Sequence, residues 1–314
     1  MTSTTQVKTL DTFSLSDQEG THRDSMPPPY SQDAMELKSV ISATSSKSSL
    51  PEYDAVGTAG PSSSALADFH PTCSFQVDNQ GLAMVALPLP PRPYPIPVYA
   101  VTESGGIGDK MYESIRQSRG SGNAILFRTG NPHYPVCSTA YRFGPGRPPK
   151  ISLLAPDANV TNLGKDEVPV GEEEFEVIGS GCMTRAVTIR THLGTFEWRY
   201  ASKAEKREFG ADSLLVLDHV TNIALEGEKT EKKKHRVAQL VRNSEFRTRG
   251  SGRSTAGNGG RLMIDARDWT DRKDEAHQLE TFVIASCIVM LKREMDRRRV
   301  HQAMIIGGGG GGGP

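Results

Sequence analysis

Phe282-Val283-Ile284-Ala285-Ser286-Cys287-Ile288-Val289-Met290-Leu291 is the stretch whose reading decides the fold. Its flanks carry helix signals. Thr270 or Asp271 stands where a cap belongs, Asp274 and Glu275 fall in the first turns, and Arg297, Arg298 and Arg299 in the last, which is the charge order that a helix dipole favours. The spacing predicts a helix over about 271–299. A helix apolar on every side has no face to give to water and must be surrounded, by protein or by lipid. At about 1.5 Å per residue this stretch covers about half of a bilayer's hydrocarbon thickness. Enclosure by protein is therefore the preferred reading.

What would enclose it lies upstream. From Phe69 onward the chain is a series of short apolar or alternating segments broken by Gly, Pro and charged turns, the pattern of strands. The clearest pair runs Arg185 to Arg190, turns near His192-Leu193-Gly194 and returns as Thr195 to Tyr200. Phe196, Trp198 and Tyr200 alternate with Glu197 and Arg199, so the pair reads as a hairpin with one face buried. Further strands are expected at Val98–Thr102, Ala124–Arg128, Thr139–Phe143, Ile151–Leu154, Phe175–Ile178, Leu214–Leu217, Arg236–Val241 and Leu262–Asp265. Short strands in such number indicate a sandwich or a barrel.

The order of strands followed by one fully apolar C-terminal helix resembles the tubby C-terminal-like superfamily, which includes the LURP-one-related and phospholipid scramblase barrels. The residues that carry the resemblance are the hairpin Val187 to Tyr200, the strand Leu214 to Leu217 and the helix Glu280 to Arg293. It implies a mostly β fold, a closed antiparallel barrel around a hydrophobic C-terminal helix, covering about Phe69 to Arg299. The charged continuation Asp296 to Ile306 departs from a helix that simply ends inside a barrel.

The remainder of the chain has another character. Residues 1–68 are rich in Ser, Thr, Pro, Asp and Gln and show no periodicity, which reads as a disordered tail. The domains expected are this tail, a barrel over 69–306, and a polyglycine tail over 307–314. Lysine plus arginine equals aspartate plus glutamate, 37 each, which argues against a surface built for nucleic acid. The first twenty residues lack an apolar h-region, and no apolar run approaches the roughly 20 residues of a membrane span. A cytoplasmic protein is expected, with membrane-peripheral or nuclear placement left open. Cys73, Cys137, Cys182 and Cys287 lie far apart without C-x-x-C spacing, so neither a disulfide framework nor a zinc site is indicated.

Two short motifs stand out in the tail. Pro27-Pro28-Pro29-Tyr30 is a P-P-x-Y sequence, and Leu50-Pro51-Glu52-Tyr53 is its L-P-x-Y variant. Consecutive prolines pre-form a polyproline II turn and the tyrosine fills a second pocket, which is how WW domains read such peptides. Two copies in tandem gain from effective concentration. The motifs imply docking to a WW-domain protein, such as a HECT-type ubiquitin ligase. A second proline run, Leu87 to Pro95, lies beside the strand at Val98 and reads as an extended connection.

The main basic run is Lys232-Lys233-Lys234-His235-Arg236, with Arg242, Arg247, Arg249, Arg253 and Arg261 following. The resemblance to tubby domains implies that Lys232, Lys233, Lys234 and Arg236 would touch lipid phosphate, since those domains bind phosphoinositide headgroups through basic residues of the barrel. No catalytic signature is present: no G-x-S-x-G elbow, no Walker loop, no H-E-x-x-H and no complete dinucleotide fingerprint. Asp218 and His219 are sequence neighbours that a strand sends to opposite faces. The sequence therefore points to a non-enzymatic adaptor without cofactor or metal. The alternative is a peripheral membrane protein that binds phosphoinositides through basic loops.

Overall fold

The computed structural model describes residues 68–85, 95–116, 121–130, 135–142, 144, 147–155, 158, 160, 167–171, 173–179, 185–224, 230–271 and 274–308. The docking motifs Pro27 to Tyr30 and Leu50 to Tyr53 lie outside them. So do the rest of residues 1–67, most of the proline run and residues 309–314.

Twelve strands form among the described residues: β1 (Cys73–Val77), β2 (Ile96–Val101), β3 (Ile107–Arg116), β4 (Ala124–Arg128), β5 (Pro135–Ala140), β6 (Lys150–Leu153), β7 (Glu173–Gly179), β8 (Val187–Thr191), β9 (Gly194–Tyr200), β10 (Ser213–Ala224), β11 (Thr230–Arg242) and β12 (Gly260–Ile264). Each strand pairs antiparallel with its sequence neighbours, and β1 pairs β12 to close the ring. Closure leaves no unpaired strand edge. A short helix α1 (Lys203–Glu208) links β9 to β10, and the long helix α2 (Glu275–Gly308) follows β12.

The β8–β9 hairpin keeps its expected register. Val187 lies opposite Trp198 and Ile189 opposite Phe196, and all four side chains are buried. Gly194 takes a φ of +134°, and a Cβ there would strike the His219 imidazole. Asp218 and His219 do part to opposite faces: Asp218 accepts from Arg199 at 2.6 Å on the outside, whereas His219 lies tilted against Phe196 and edge-on to Trp269.

The interior is filled by α2. Residues 281–291 are buried without a break, about three turns and about 16 Å of helix. Strands on several sides touch it. Phe282 meets Phe196 of β9 at 5.1 Å and the edge of Phe175 of β7 at 6.2 Å. The Tyr112 hydroxyl of β3 donates to Glu280. Trp198 donates its indole N–H to Ser286 Oγ at 3.0 Å, and Ser286 passes its own proton to Val283 O. The one hydroxyl in the apolar run is thereby satisfied, as burial demands.

Several sequence expectations shift. Thr270 hydrogen-bonds Arg267 O within the 3-10 turn Arg267–Trp269, and α2 begins only after Asp274, whose φ is +68°. Asp274 O accepts from Gln278 N at 2.9 Å, so neither Thr270 nor Asp271 caps this helix. At the other end α2 runs on to Gly308, about 13 Å beyond Arg299 at 1.5 Å per residue. The strand expected at Thr139–Phe143 lies at Pro135–Ala140, and the strand expected from Arg236 begins already at Thr230, so that Lys232 to His235 sit within β11.

Candidate functional site

The two mouths of the barrel differ in chemistry. α2 enters beside the β8–β9 turn, where His192 meets Gln278 at 2.8 Å. It leaves at the other end, past Tyr200, the last residue of β9. There the apolar run gives way to Lys292-Arg293-Glu294, and Arg297, Arg298 and His301 follow. Loops of the barrel bring Arg142 and Arg147 from between β5 and β6, Arg185 from before β8, and Arg247 and Arg253 from after β11. Together they line an open cleft of about 980 Å³ with Met84, Val300, Met304 and Ile305 on its walls.

Among the described residues one carboxylate lines this cleft, Glu294, and it is already engaged. Arg242 binds it bidentately at 2.7 and 2.9 Å, Tyr200 donates at 2.6 Å and Gly257 N at 2.9 Å. Burial works against the charge on Glu294, but the Arg242 guanidinium and these donors hold its carboxyl below the usual range. Gly257 is required here: its φ is +70°, and a Cβ would meet Leu291 O and Met295. Arg242 is thus a neutralised, buried partner. Arg247 and Arg253 turn toward Asp212 at 2.7 and 3.4 Å.

The other arginines have no such relief. Among the described residues Arg142, Arg147, Arg185, Arg293, Arg297 and Arg298 make no ion pair. Arg297 donates to the Tyr200 hydroxyl at 2.9 Å, Arg298 to Ser254 O at 2.9 Å, and Arg185 lies 5.7 Å over the Tyr200 ring. Half-buried Arg293 has its guanidinium pushed below its ordinary pKa by burial, joined by the charge of Arg297. Guanidinium forks in a cleft poor in acid are the standing arrangement for phosphate or carboxylate. Arg253 also borders a second recess, lined by Lys203, Lys206 and Arg207 with Asp212 among them.

The residues expected from the sequence to meet lipid phosphate lie elsewhere. Lys232, Lys233 and Lys234 are exposed on β11 near the opposite mouth, about 26–33 Å of strand from Arg242. Lys234 pairs with Glu197 at 2.7 Å. Arg236 is buried: it binds Glu205 and Gln239, and Arg199 ties Glu205 to Asp218. Burial opposes the charge on Glu205, yet these donors and the Ser202 cap hold its pKa at about 2. Arg236 is thus part of a structural network beneath α1. Arg142, Arg147, Arg185, Arg293, Arg297 and Arg298 were missed as a group because they come from three separated segments; the available signal was Arg293 to Arg299 directly after the apolar run.

Fold and site together define a class: a closed antiparallel barrel threaded by its own helix, with an arginine-rich and acid-poor mouth where that helix leaves. No protein-family model matches the chain, and no curated protein and no solved structure matches it. Among the described residues no helix is long and apolar enough to cross a membrane, and no group of three His, Cys, Asp or Glu side chains is placed to hold a metal ion.

Proposed function

We propose that this protein is a non-enzymatic adaptor: the arginine mouth of its barrel binds a polyanionic ligand, and its tail recruits WW-domain proteins such as HECT-type ubiquitin ligases. The observation that supports the first half is the set of six mouth arginines without an acidic partner among the described residues. Burial and the charge of Arg297 hold the Arg293 guanidinium below its ordinary pKa, and an anion seated beside it would favour its charged form. The ring of strands around an apolar helix also supports reading the domain as a tubby C-terminal-like, LURP-one-related barrel, with its anion site at this mouth and not at Lys232 to Lys234.

The test of the mouth is a calorimetric titration with inositol hexakisphosphate at two salt concentrations. Charge-assisted hydrogen bonds are worth about 1.5–3 kcal/mol each, so the double variant Arg142→Gln, Arg298→Gln is expected to bind at least about tenfold more weakly. Added salt should weaken the unaltered protein as well. Equal affinity for variant and unaltered chain would remove the reading.

The two proline-tyrosine motifs carry the second half. Tyr30→Ala is expected to weaken binding of tail peptides to a protein with two WW domains in tandem. Tyr53→Ala should weaken it less, because Leu50-Pro51 forms a less complete polyproline turn than Pro27 to Pro29. The double variant should lose most, since a flexible span of about 20 residues reaches roughly 25 Å and lets both sites engage at once. Fluorescence anisotropy reads all three, and an unaffected double variant would leave the adaptor reading without support.

A further inference from the structure

Three hydroxyls follow one another in the loop between β11 and β12, at Ser251, Ser254 and Thr255. Two of them are spent on the loop itself: Ser251 Oγ donates to Thr248 O at 2.7 Å, and Thr255 Oγ1 accepts from Gly252 N at 2.9 Å. Ser254 differs. It is exposed, it lines the arginine cleft, and among the described residues its hydroxyl makes no hydrogen bond. Its backbone oxygen accepts from Arg298 Nη2 at 2.9 Å, so a guanidinium of α2 already stands against this residue. Arg253, whose side chain is 79% exposed, precedes it, and Arg247 and Arg249 stand upstream.

The loop is pinned on both sides. Leu82 and Ala256 exchange two backbone hydrogen bonds, at 2.8 and 2.9 Å, and Gly257 N donates to Glu294 at 2.9 Å. A turn closes from Thr255 N to Gly252 O at 3.0 Å and carries Ser254 at its corner. The loop thus offers a fixed, open hydroxyl set among arginines.

Kinases select serines in part by the charge around them, and basic flanks suit an acidic substrate groove. Transfer from ATP forms a bond between Ser254 Oγ and the γ-phosphorus and breaks the bond from that phosphorus to the β-phosphate oxygen. ADP leaves, and the carboxylate base of the kinase takes the hydroxyl proton. The product carries a charge of about −1.5 to −2 at pH 7 and three strong acceptor oxygens, which form charge-assisted hydrogen bonds opposite an arginine cluster. Among the described residues Glu294 is the one carboxylate of the cleft, and Arg242 already neutralises it. Nothing described there repels a phosphate.

We infer that Ser254 is a phosphorylation site for a basophilic kinase, and that its phosphate is captured by Arg298 and the neighbouring mouth arginines and closes the mouth to free polyanions. The inference rests on the anion-binding reading of the mouth and adds its regulation. A kinase then releases the bound anion, and a phosphatase restores the site.

Three forms of the full chain test this: unmodified, and with phosphoserine incorporated during synthesis in place of Ser254 or of Ser104, an exposed residue of the β2–β3 turn outside the cleft. Calorimetric titration with inositol hexakisphosphate is expected to show binding at least about tenfold weaker with phosphoserine in place of Ser254, the loss of one charge-assisted hydrogen bond or more. With phosphoserine in place of Ser104 the affinity should stay close to that of the unmodified chain. Phosphorus NMR reads the capture itself. A phosphoserine dianion ordinarily takes up a proton at about pH 6, and guanidiniums beside it should hold that midpoint lower in the cleft than in the β2–β3 turn. Arg298→Gln should bring the two midpoints together. Incubation of the unmodified chain with protein kinase C and ATP, followed by mass spectrometry, should place phosphate on Ser254. Equal midpoints, unchanged affinity with the cleft phosphoserine, an equal loss of affinity with the turn phosphoserine, or no phosphate on Ser254 after the kinase reaction would each overturn the inference and leave the anion-binding reading standing. No binding of inositol hexakisphosphate by the unmodified chain would overturn both.

Discussion

Ile284→Asp is expected to leave the barrel without a cooperative unfolding transition. Ile284 is fully buried near the middle of the uninterrupted stretch 281–291, where strands from several sides close on the helix. A carboxylate placed there has no partner, and an uncompensated buried charge costs several kcal/mol against a typical margin of about 5–15. Protonation removes the charge but leaves a polar group without acceptor or donor. The measurement is thermal melting followed by near-ultraviolet circular dichroism, to which Trp198 and Trp269, both buried, should contribute strongly. The same substitution at Ile305 on the same helix is expected to change stability by less than about 0.5 kcal/mol, as surface changes do. A cooperative melt for Ile284→Asp near that of the unaltered chain would contradict a helix enclosed by the ring.

Much of this architecture was legible in the residues. Phe282 to Leu291 leaves no side for water, and that one property requires a surrounding shell. The alternation Phe196, Trp198, Tyr200 fixed which face of β9 looks inward, and the structure keeps that register. Other elements were hidden for physical reasons. β1 carries Ser74 and Gln76 between its apolar residues, and β3 reads Ile-Gly-Asp-Lys-Met-Tyr-Glu-Ser-Ile-Arg, too polar to stand out because its pairing on both sides, and not its apolar content, makes it a strand. The ends of β10 and β11 reach beyond the neighbouring strand β9, which pairs only with Leu215 to His219, so Lys232 to Lys234 looked like loop.

The site was legible only in part. The apolar-to-arginine change after Leu291 is visible in the sequence, and Arg242, Arg247 and Arg253 already belong to its main basic concentration. That Arg142, Arg147 and Arg185 join them depends on which loops share a mouth, a property of strand order. Counting charge along β11 weighted Arg236, whose guanidinium is taken by Glu205, and passed over Arg293, whose charge burial and Arg297 disfavour more than Asp296 favours it.

Arg293 gives the most direct measurement of whether that mouth exists for an anion. Arg293 stands near Gly179 at the end of β7, and its charge is disfavoured by burial and by Arg297. Because its folded-state pKa is lowered, the charged form works against folding at neutral pH. Arg293→Met keeps the aliphatic stem and removes the charge. In the absence of ligand its melting temperature should rise, by about 2–4 °C for each 1 kcal/mol of relieved repulsion. The unaltered chain should gain stability with inositol hexakisphosphate, by about 2.7 kcal/mol when ligand reaches a hundred times Kd, and Arg293→Met should lose most of that gain. Melting curves of the two proteins with and without inositol hexakisphosphate therefore test the claim in one series: the account predicts a variant more stable alone and less responsive to the anion. A variant less stable alone and equally responsive would show that Arg293 serves the fold, and would contradict the anion-binding mouth.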